Sequence, residues 1–364
     1  MILTKLLYPT MQLVLSIPSI TRAYVALHKE TLLKEKIWSG EIMQDAIEKQ
    51  IKIFLTEDQL KDCKFLHSIT IDLILSYHIY GVIPSEYFLF DFPNCNHKKR
   101  KSFLTLKHKD EVMIQKVGMG YNWDILENKD MFYEKFKEYF HRDVCILKEN
   151  SHLENFKVFV ATHSRFIAKP INGQCGKGVK IVDLATEPYN IEYLFNELLA
   201  NGKWILEELV EASPDMTLWN PSSLNTIRIP SFLNKHGFFI LKPFFRIGRA
   251  GCIVDNANSG GILAVVDENS GIIQTEGVDM LGNRYKIHPD SQKPIQGAQI
   301  PQWDSLLKLV EHIHRTEMPN YPYIGWDFAL TSKGWVLIEG NWGEFVSEFA
   351  DREGIKEKFD SLFD

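Results

Sequence analysis

The chain has 364 residues, 45% of them hydrophobic and 12% aromatic, and a formal net charge of -6. That is enough apolar material for a buried core and two or three subdomains, and the acidic balance speaks against non-specific nucleic-acid binding, which needs a basic surplus. Five scattered cysteines (Cys63, Cys95, Cys145, Cys175, Cys252) form no CxxC pair, so neither a disulfide framework nor a zinc site is signalled and a reducing cytoplasm fits.

Leu6 to Ile20 is apolar-rich, but Pro9 and Pro18 interrupt it and no A-x-A site follows. It is expected as a packed amino-terminal helix or strand-like segment, too short and broken to span a bilayer, with a peripheral membrane contact left open. Tyr24 to Tyr80 has a helical pattern broken only by Gly40 and forms a helical cap. The aromatic run Tyr87 to Phe92 is expected as a buried strand or wall ended by Pro93-Asn94, and the basic run His97 to Lys101 as a solvated loop.

Lys129 to Tyr139 is helical, and short strands follow at Asp143 to Leu147, Arg165 to Lys169 and Val179 to Val182. Ile191 to Leu199 is an amphipathic helix stopped at Gly202, followed by an apolar strand, Trp204 to Val210. This alternation indicates an α+β or α/β core. Strands then dominate at Thr226 to Phe232, Gly237 to Phe245 and Gly261 to Val266, with one helix at Trp303 to Met318, a final hairpin and a charged helix.

The hairpin, Ile324 to Trp342, carries three oxygen donors. With Ser332-Lys333-Gly334 as a three-residue loop and Gly334 in the left-handed position, Thr331 pairs with Trp335. Counting outward places Asp327 opposite Glu339, with Cβ atoms about 4.5 to 5.5 Å apart. Asn341 falls on the same face by the two-residue period. Two carboxylates so close repel unless a cation joins them, and this hard donor set suits Mg²⁺ or Mn²⁺. The neighbours Phe328, Leu330, Val336 and Ile338 are apolar, so an acid among them needs a partner.

In FIAKPINGQCGKGV a strand ends at Lys169 and Gly173, Gly176 and Gly178 follow. Glycines let backbone N-H groups approach phosphate oxygens, and the lysine supplies a point charge for the same anion. The spacing is neither a Walker A loop nor a dinucleotide fingerprint. Downstream, Glu207-Glu208-Leu209-Val210 ends an apolar strand suited to an adenine ring, with Glu211 or Asp215 as the acid for the ribose.

The order of these features resembles the ATP-grasp superfamily: Lys129 at a helix entry, Lys169 with the glycine loop, E-E-L-V, an arginine strand, then D...E-x-N. The phrases SLNTIRI, VDNANSGGI, GAQIPQW, IGWDFALT and LIEGN look like its sugar-transfer-associated branch. The resemblance covers roughly Tyr87 to the end. It implies that Lys129 and Lys169 contact ATP phosphates and that the loop holding Gly173, Gln174, Gly176 and Gly178 closes over them. Glu207, Glu208, Leu209 and Val210 then hold the adenine, with Asp215 also on the nucleotide side, and Asp327, Glu339 and Asn341 bind magnesium. Arg228, Arg246 and Arg249 become candidates for stabilising the transferred phosphate, Asn256, Ser259, Gly260 and Gly261 form the substrate-side loop, and His288 is a further substrate contact. Two departures from better-studied ligases stand out: Trp342-Gly343-Glu344 follows the asparagine, and Gly325-Trp326 replaces the arginine before the metal aspartate.

The expected fold is therefore α+β: an ATP-grasp fold of two α+β subdomains (116–202 and 203–364) clasping ATP behind a mainly helical region (1–115). The expected activity is an ATP- and magnesium-dependent carboxylate-amine ligase of the cytoplasm, working through an acylphosphate on a small metabolite, peptide or sugar-linked acid, plausibly in surface polysaccharide or specialised metabolite biosynthesis. A phosphotransferase acting on a hydroxyl and a non-catalytic nucleotide-binding module are the alternatives. Expected partners are the carboxylate and amine substrates and no nucleic acid; a homodimer stays open.

Overall fold

A computed structural model describes residues 18–117, 123–173, 178–185, 190–253, 255, 257–342 and 348–363. The chain divides into two compact units, Met1–Gly118 with Asp351–Asp364, and Met119–Ala350. Most of the apolar stretch from Leu6 lies outside the described residues, and no described helix is long and apolar enough to cross a membrane.

The described residues of the first unit are mainly helical, and the longest helices among them are Pro18–Leu32, Met43–Phe54 and Cys63–Tyr80. Asp62 caps the last of these by accepting from Lys64 N and Phe65 N, and Gly81 ends it in the left-handed conformation. Two expectations fail here. The aromatic run is not a strand: Pro84 opens a helix, Pro84–Leu89, and the Glu86 carboxylate accepts from Ile83 N at 3.1 Å and from Leu106 N at 2.7 Å. A proline preset for the first turn and an acid at its third position outweigh aromatic strand propensity. Nor is the basic run a solvated loop. It forms the helix His97–Ser102, and Arg100 turns inward to Asp72 at 2.8 Å and to the Phe92 carbonyl at 2.7 Å.

The second unit holds two sheets. The smaller comprises β1 (Val144–Leu147), β2 (Arg165–Pro170), β3 (Lys180–Asp183) and β4 (Trp204–Glu208), in the order β1-β4-β2-β3. Helices Leu153–Thr162 and Ile191–Ala200 supply Phe156, Phe159, Leu194 and Leu198 to its core, where they meet Phe166, Ala168 and Leu206. The expected boundary at 202/203 would part β4 from β1 and β2, the strands it pairs with in this sheet. The period of two then sends Ile167, Lys169 and Glu207 to the other face, away from the core.

The larger sheet comprises β5 (Thr226–Asn234), β6 (Gly237–Ile240), β7 (Phe244–Ile247), β8 (Ile262–Val265), β9 (Gly277–Val278), β10 (Arg284–Tyr285), β11 (Tyr323–Thr331) and β12 (Gly334–Asn341). Its order is β10-β9-β8-β7-β5-β11-β12, with β6 also on β5. Every ladder in both sheets is antiparallel, which makes the unit α+β. β5 changes partner at Pro230: it pairs with β7 up to Arg228 and with β6 from Ser231. A proline donates no ladder hydrogen bond, so the interruption falls where it costs least. What looked like one strand, Gly237 to Phe245, is split by Lys242 at φ 47° and by Pro243.

Helix Trp303–Glu317 covers this sheet and buries His314 against β5 and β11. The His314 Nε2-H donates to the Tyr321 carbonyl at 2.7 Å, and Ser231 Oγ, which accepts from Trp326 Nε1 at 2.9 Å, lies 2.8 Å from Nδ1. Burial lowers the His314 pKa to about 4, against the opposing pull of the Tyr321 carbonyl. A histidine held neutral in the folded state stabilises fully above its unfolded pKa, and the contribution is lost as pH falls toward the folded value. Stability should therefore drop by about 2 kcal/mol between about pH 7 and pH 5 from this group alone. Urea midpoints at the two pH values check it, and His314→Gln should flatten that part of the slope.

Candidate active site

A cleft of 740 Å³ runs between the free face of the small sheet and the large sheet, both within the second unit. Its small-sheet wall carries Ile167, Lys169, Ile181 and Glu207, and its far wall carries Thr226, Arg246, Asp255 and Glu339. Lys129, Gly173, Glu208, Leu209 and Val210 also line it. Residues as far apart in the chain as Lys129 and Glu339 thus line one cleft.

At the small-sheet end, Lys169 Nζ lies 2.8 Å from Glu207 Oε1, and Arg142 Nε donates to Glu207 Oε2 at 2.6 Å. Burial alone would raise the Glu207 pKa, but the charges of Arg142 and Lys169 outweigh it and push it down to about 2. Lys129 Nζ donates to the Gly173 carbonyl at the start of the glycine loop. Gly178, at φ 76°, closes that loop where a Cβ would come within 2.9 Å of Pro170 Cγ, so no other residue fits without displacing the proline. Gln174 and Gly176 lie outside the described residues. Of the two acids suggested for a ribose, Glu211 lines the cleft, whereas Asp215 is exposed at the start of the turn Pro214–Thr217.

At the other end the hairpin brings Asp327 opposite Glu339, as the count expects, but by another route. Thr331 pairs with Gly334, so the loop is two residues, Ser332-Lys333, and the register slips between Asp327 and Phe328 because Ile338 is a bulge. The missing loop residue and the extra strand residue cancel. Asn341 Nδ2 sits 3.5 Å from Glu339 Oε1, on the same face. Gly340 between them packs against the helix Lys129–Phe136, where a Cβ would lie 2.9 Å from Phe132 Cε2.

Asp327 is fully buried and held by two arginines. Arg228 Nε and Nη2 donate to its oxygens at 2.5 and 2.9 Å, and Arg246 Nη2 lies 2.6 Å from Oδ2. Burial is outweighed by these charges, and the Asp327 pKa falls to about 2. Burial and the adjoining Asp327 carboxylate raise the Glu339 pKa above the usual carboxylate value, against the pull of Arg246 and Arg228. On the Asp327 side, the guanidiniums of Arg228 and Arg246 meet the charge of the paired acids. Of the donor set, Glu339 faces the cleft with Asn341 beside it, and these hard oxygens fit magnesium, while Asp327 offers its oxygens first to Arg228 and Arg246.

The remaining expected residues disperse. Arg249 pairs with Asp290 at 2.9 Å, away from the cleft lining. His288 is wholly buried, with Nε2 3.0 Å from the Gly248 carbonyl and Nδ1 3.0 Å from Ser291 Oγ. Ser259 and Gly260 are exposed in and after the turn Ala257–Ser259, Gly261 is buried, and Asn256 lies outside the described residues. Two cleft groups lie within the phrases SLNTIRI and VDNANSGGI or beside them, but are not among the expected site residues. Asp255 accepts from Thr226 N at 2.8 Å and Thr226 Oγ1 at 2.6 Å, and burial raises its pKa despite Arg246. Ser222 to Leu224 line the same end, held by Asn220, whose Nδ2 donates to Ser223 Oγ at 2.8 Å and to the Arg249 carbonyl at 3.2 Å.

Among solved structures, D-alanine-D-alanine ligase from Helicobacter pylori is similar at 14% identity, covering 66% of this chain and 60% of its own, with a TM-score of 0.41. N5-carboxyaminoimidazole synthetase from Staphylococcus aureus, complexed with ADP, is similar at 12% identity, covering 61% and 46%, with a TM-score of 0.39. The chain spans less than two thirds of either protein. No curated protein sequence matches it. Residues 111–362 match the family described as sugar-transfer associated ATP-grasp, and with that match spanning both sheets, the cleft and the D...E-x-N hairpin, the chain belongs to the sugar-transfer associated ATP-grasp family.

Proposed function

We propose that the chain is an ATP- and magnesium-dependent carboxylate-amine ligase, with the nucleotide at the Lys169 end of the cleft and the reacting groups at the Glu339 end. The observation that carries this reading is that one cleft offers Lys129 and Lys169 at one end and Glu339 with Arg246 at the other. Lys169 and Lys129 bind phosphate oxygens as point charges, and the apolar Ile167, Ile181, Leu209 and Val210 receive the adenine. Glu339 and Asn341 would hold magnesium, with Asp327 available only as Arg228 and Arg246 let go. Bound there, the ion supplies charge neutralisation for the phosphates.

The chemistry is positional and electrostatic. An oxygen of the acid substrate attacks the terminal phosphorus of ATP, the bridging bond to ADP breaks, and Arg246 is placed for the charge on the phosphoryl group. An amine then attacks the acyl carbon, the acyl carbon–oxygen bond breaks, and the proton lost from nitrogen passes to the departing phosphate, leaving the amide. The fit of Arg246 to a carboxylate or phosphoryl group and of Asp255 to an amine supports this order.

The test is ADP release across a panel of acids and amines, with hydroxylamine as a trap. Formation of a hydroxamate dependent on the acid supports the ligase. ADP release with no hydroxamate from any acid, but with a phosphate ester from a hydroxyl substrate, replaces the ligase with a phosphotransferase. ATP binding with no ADP release over the whole panel points to a non-catalytic module.

A further inference from the structure

Arg142 has no place in the mechanism above, yet its side chain is 2% exposed and is bonded at both ends of the cleft. It sits just before β1, the outer strand of the small sheet, after His141 at φ 47° turns the chain. Its Nε donates to Glu207 Oε2 at 2.6 Å, and Glu207 in turn holds Lys169 through Oε1 at 2.8 Å. Its Nη1 donates to the Phe140 carbonyl at 3.1 Å and to the Leu337 carbonyl at 2.8 Å, and the guanidinium lies 4.0 Å from the Phe140 ring centroid.

Leu337 immediately precedes the bulged Ile338, and β12 is the outer strand of the large sheet. Carbonyls along such an edge look to side chains for partners, and a bulge is a place where a strand re-aims its side chains. The next residue after the bulge is Glu339. A continuous series of contacts thus leads from Lys169 through Glu207 and Arg142 to the backbone that presents Glu339. A buried ion pair is seldom more stabilising than well-packed apolar groups of the same size, so stability alone is a weak reason for this arrangement.

We infer that Arg142 is a positioning residue that ties the nucleotide end of the cleft to the metal end, orienting Glu207 for Lys169 and fixing the bulge that presents Glu339. The inference rests on the ligase reading only in assigning nucleotide to Lys169 and metal to Glu339. The two jobs use different features of the side chain. Glu207 needs a positive charge, which lysine also supplies, whereas spanning Glu207, Phe140 O and Leu337 O at once needs the planar fork.

Titration calorimetry with ADP, first in EDTA and then with increasing MgCl₂, tests this on the full chain, with melting temperatures recorded in parallel. Arg142→Met should raise the ADP dissociation constant in EDTA and the magnesium concentration for half-maximal tightening, each by about 10- to 100-fold, the range for supporting residues around a metal site. Arg142→Lys, which keeps the charge, should bring ADP binding in EDTA back to within about threefold of the parent. Its magnesium requirement should stay raised. Should Arg142→Lys, or a folded Arg142→Met, bind ADP and magnesium like the parent and lose only melting temperature, the residue is merely structural and the inference is overturned. A parent chain that binds no ADP would overturn the ligase reading itself, a result distinct from either of these.

Discussion

Glu339→Gln should leave the fold intact and lower magnesium-dependent ADP release by about 10²- to 10³-fold, the usual loss when one preorganised electrostatic group is removed from an active site. The fold should survive because glutamine has nearly the same volume as Glu339 and its amide can donate a hydrogen bond to the neighbouring Asp327 carboxylate. The function does not survive, because the amide cannot ionise to meet a divalent cation. The check is ADP release over a magnesium titration beside a thermal melt of both proteins. Parent-like turnover in the variant would remove Glu339 from the metal site.

The second large effect is on stability. Arg228→Met should destabilise the second unit by about 3–5 kcal/mol, the range for breaking a buried ion pair by removing one partner. Arg228 is 1% exposed and Asp327 is 0% exposed, and the variant takes one of its two guanidiniums away from Asp327. Adding Asp327→Leu to Arg228→Met should return part of the loss, since it removes the stranded charge, although Arg246 then loses its ion pair with Asp327. Urea unfolding of the single and double variants measures the coupling. A loss below about 1 kcal/mol in the single variant would mean that water or a neighbour takes over at Asp327.

How much of this was legible in the sequence varies with the range of the interactions. Asp327 opposite Glu339 could be read because an acid inside an apolar strand needs a partner and a hairpin offers only a few. The turn itself was misread, since two residues at the tip and one bulged residue at Ile338 give the same count as three at the tip. Lys169 and Glu207 announced themselves as charged ends of apolar strands. The helix at Pro84–Leu89 was hidden by its aromatic residues, although Pro84 and Glu86 carried the correct signal. Arg142 could not be found, because Glu207 and Leu337 lie 65 and 195 residues away and nothing local distinguishes it from a surface arginine. For the same reason Arg228 looked like a free phosphate ligand when its first partner is Asp327, 99 residues on.

The position of the bulge has a practical side. Since the extra residue is at Ile338, the phase of Glu339 relative to Asp327 is set next to the acids themselves and not at the exposed tip of Ser332 and Lys333. A fluorescent label grafted between Ser332 and Lys333 should report on the arm that carries Asp327 and Glu339 without shifting their pairing.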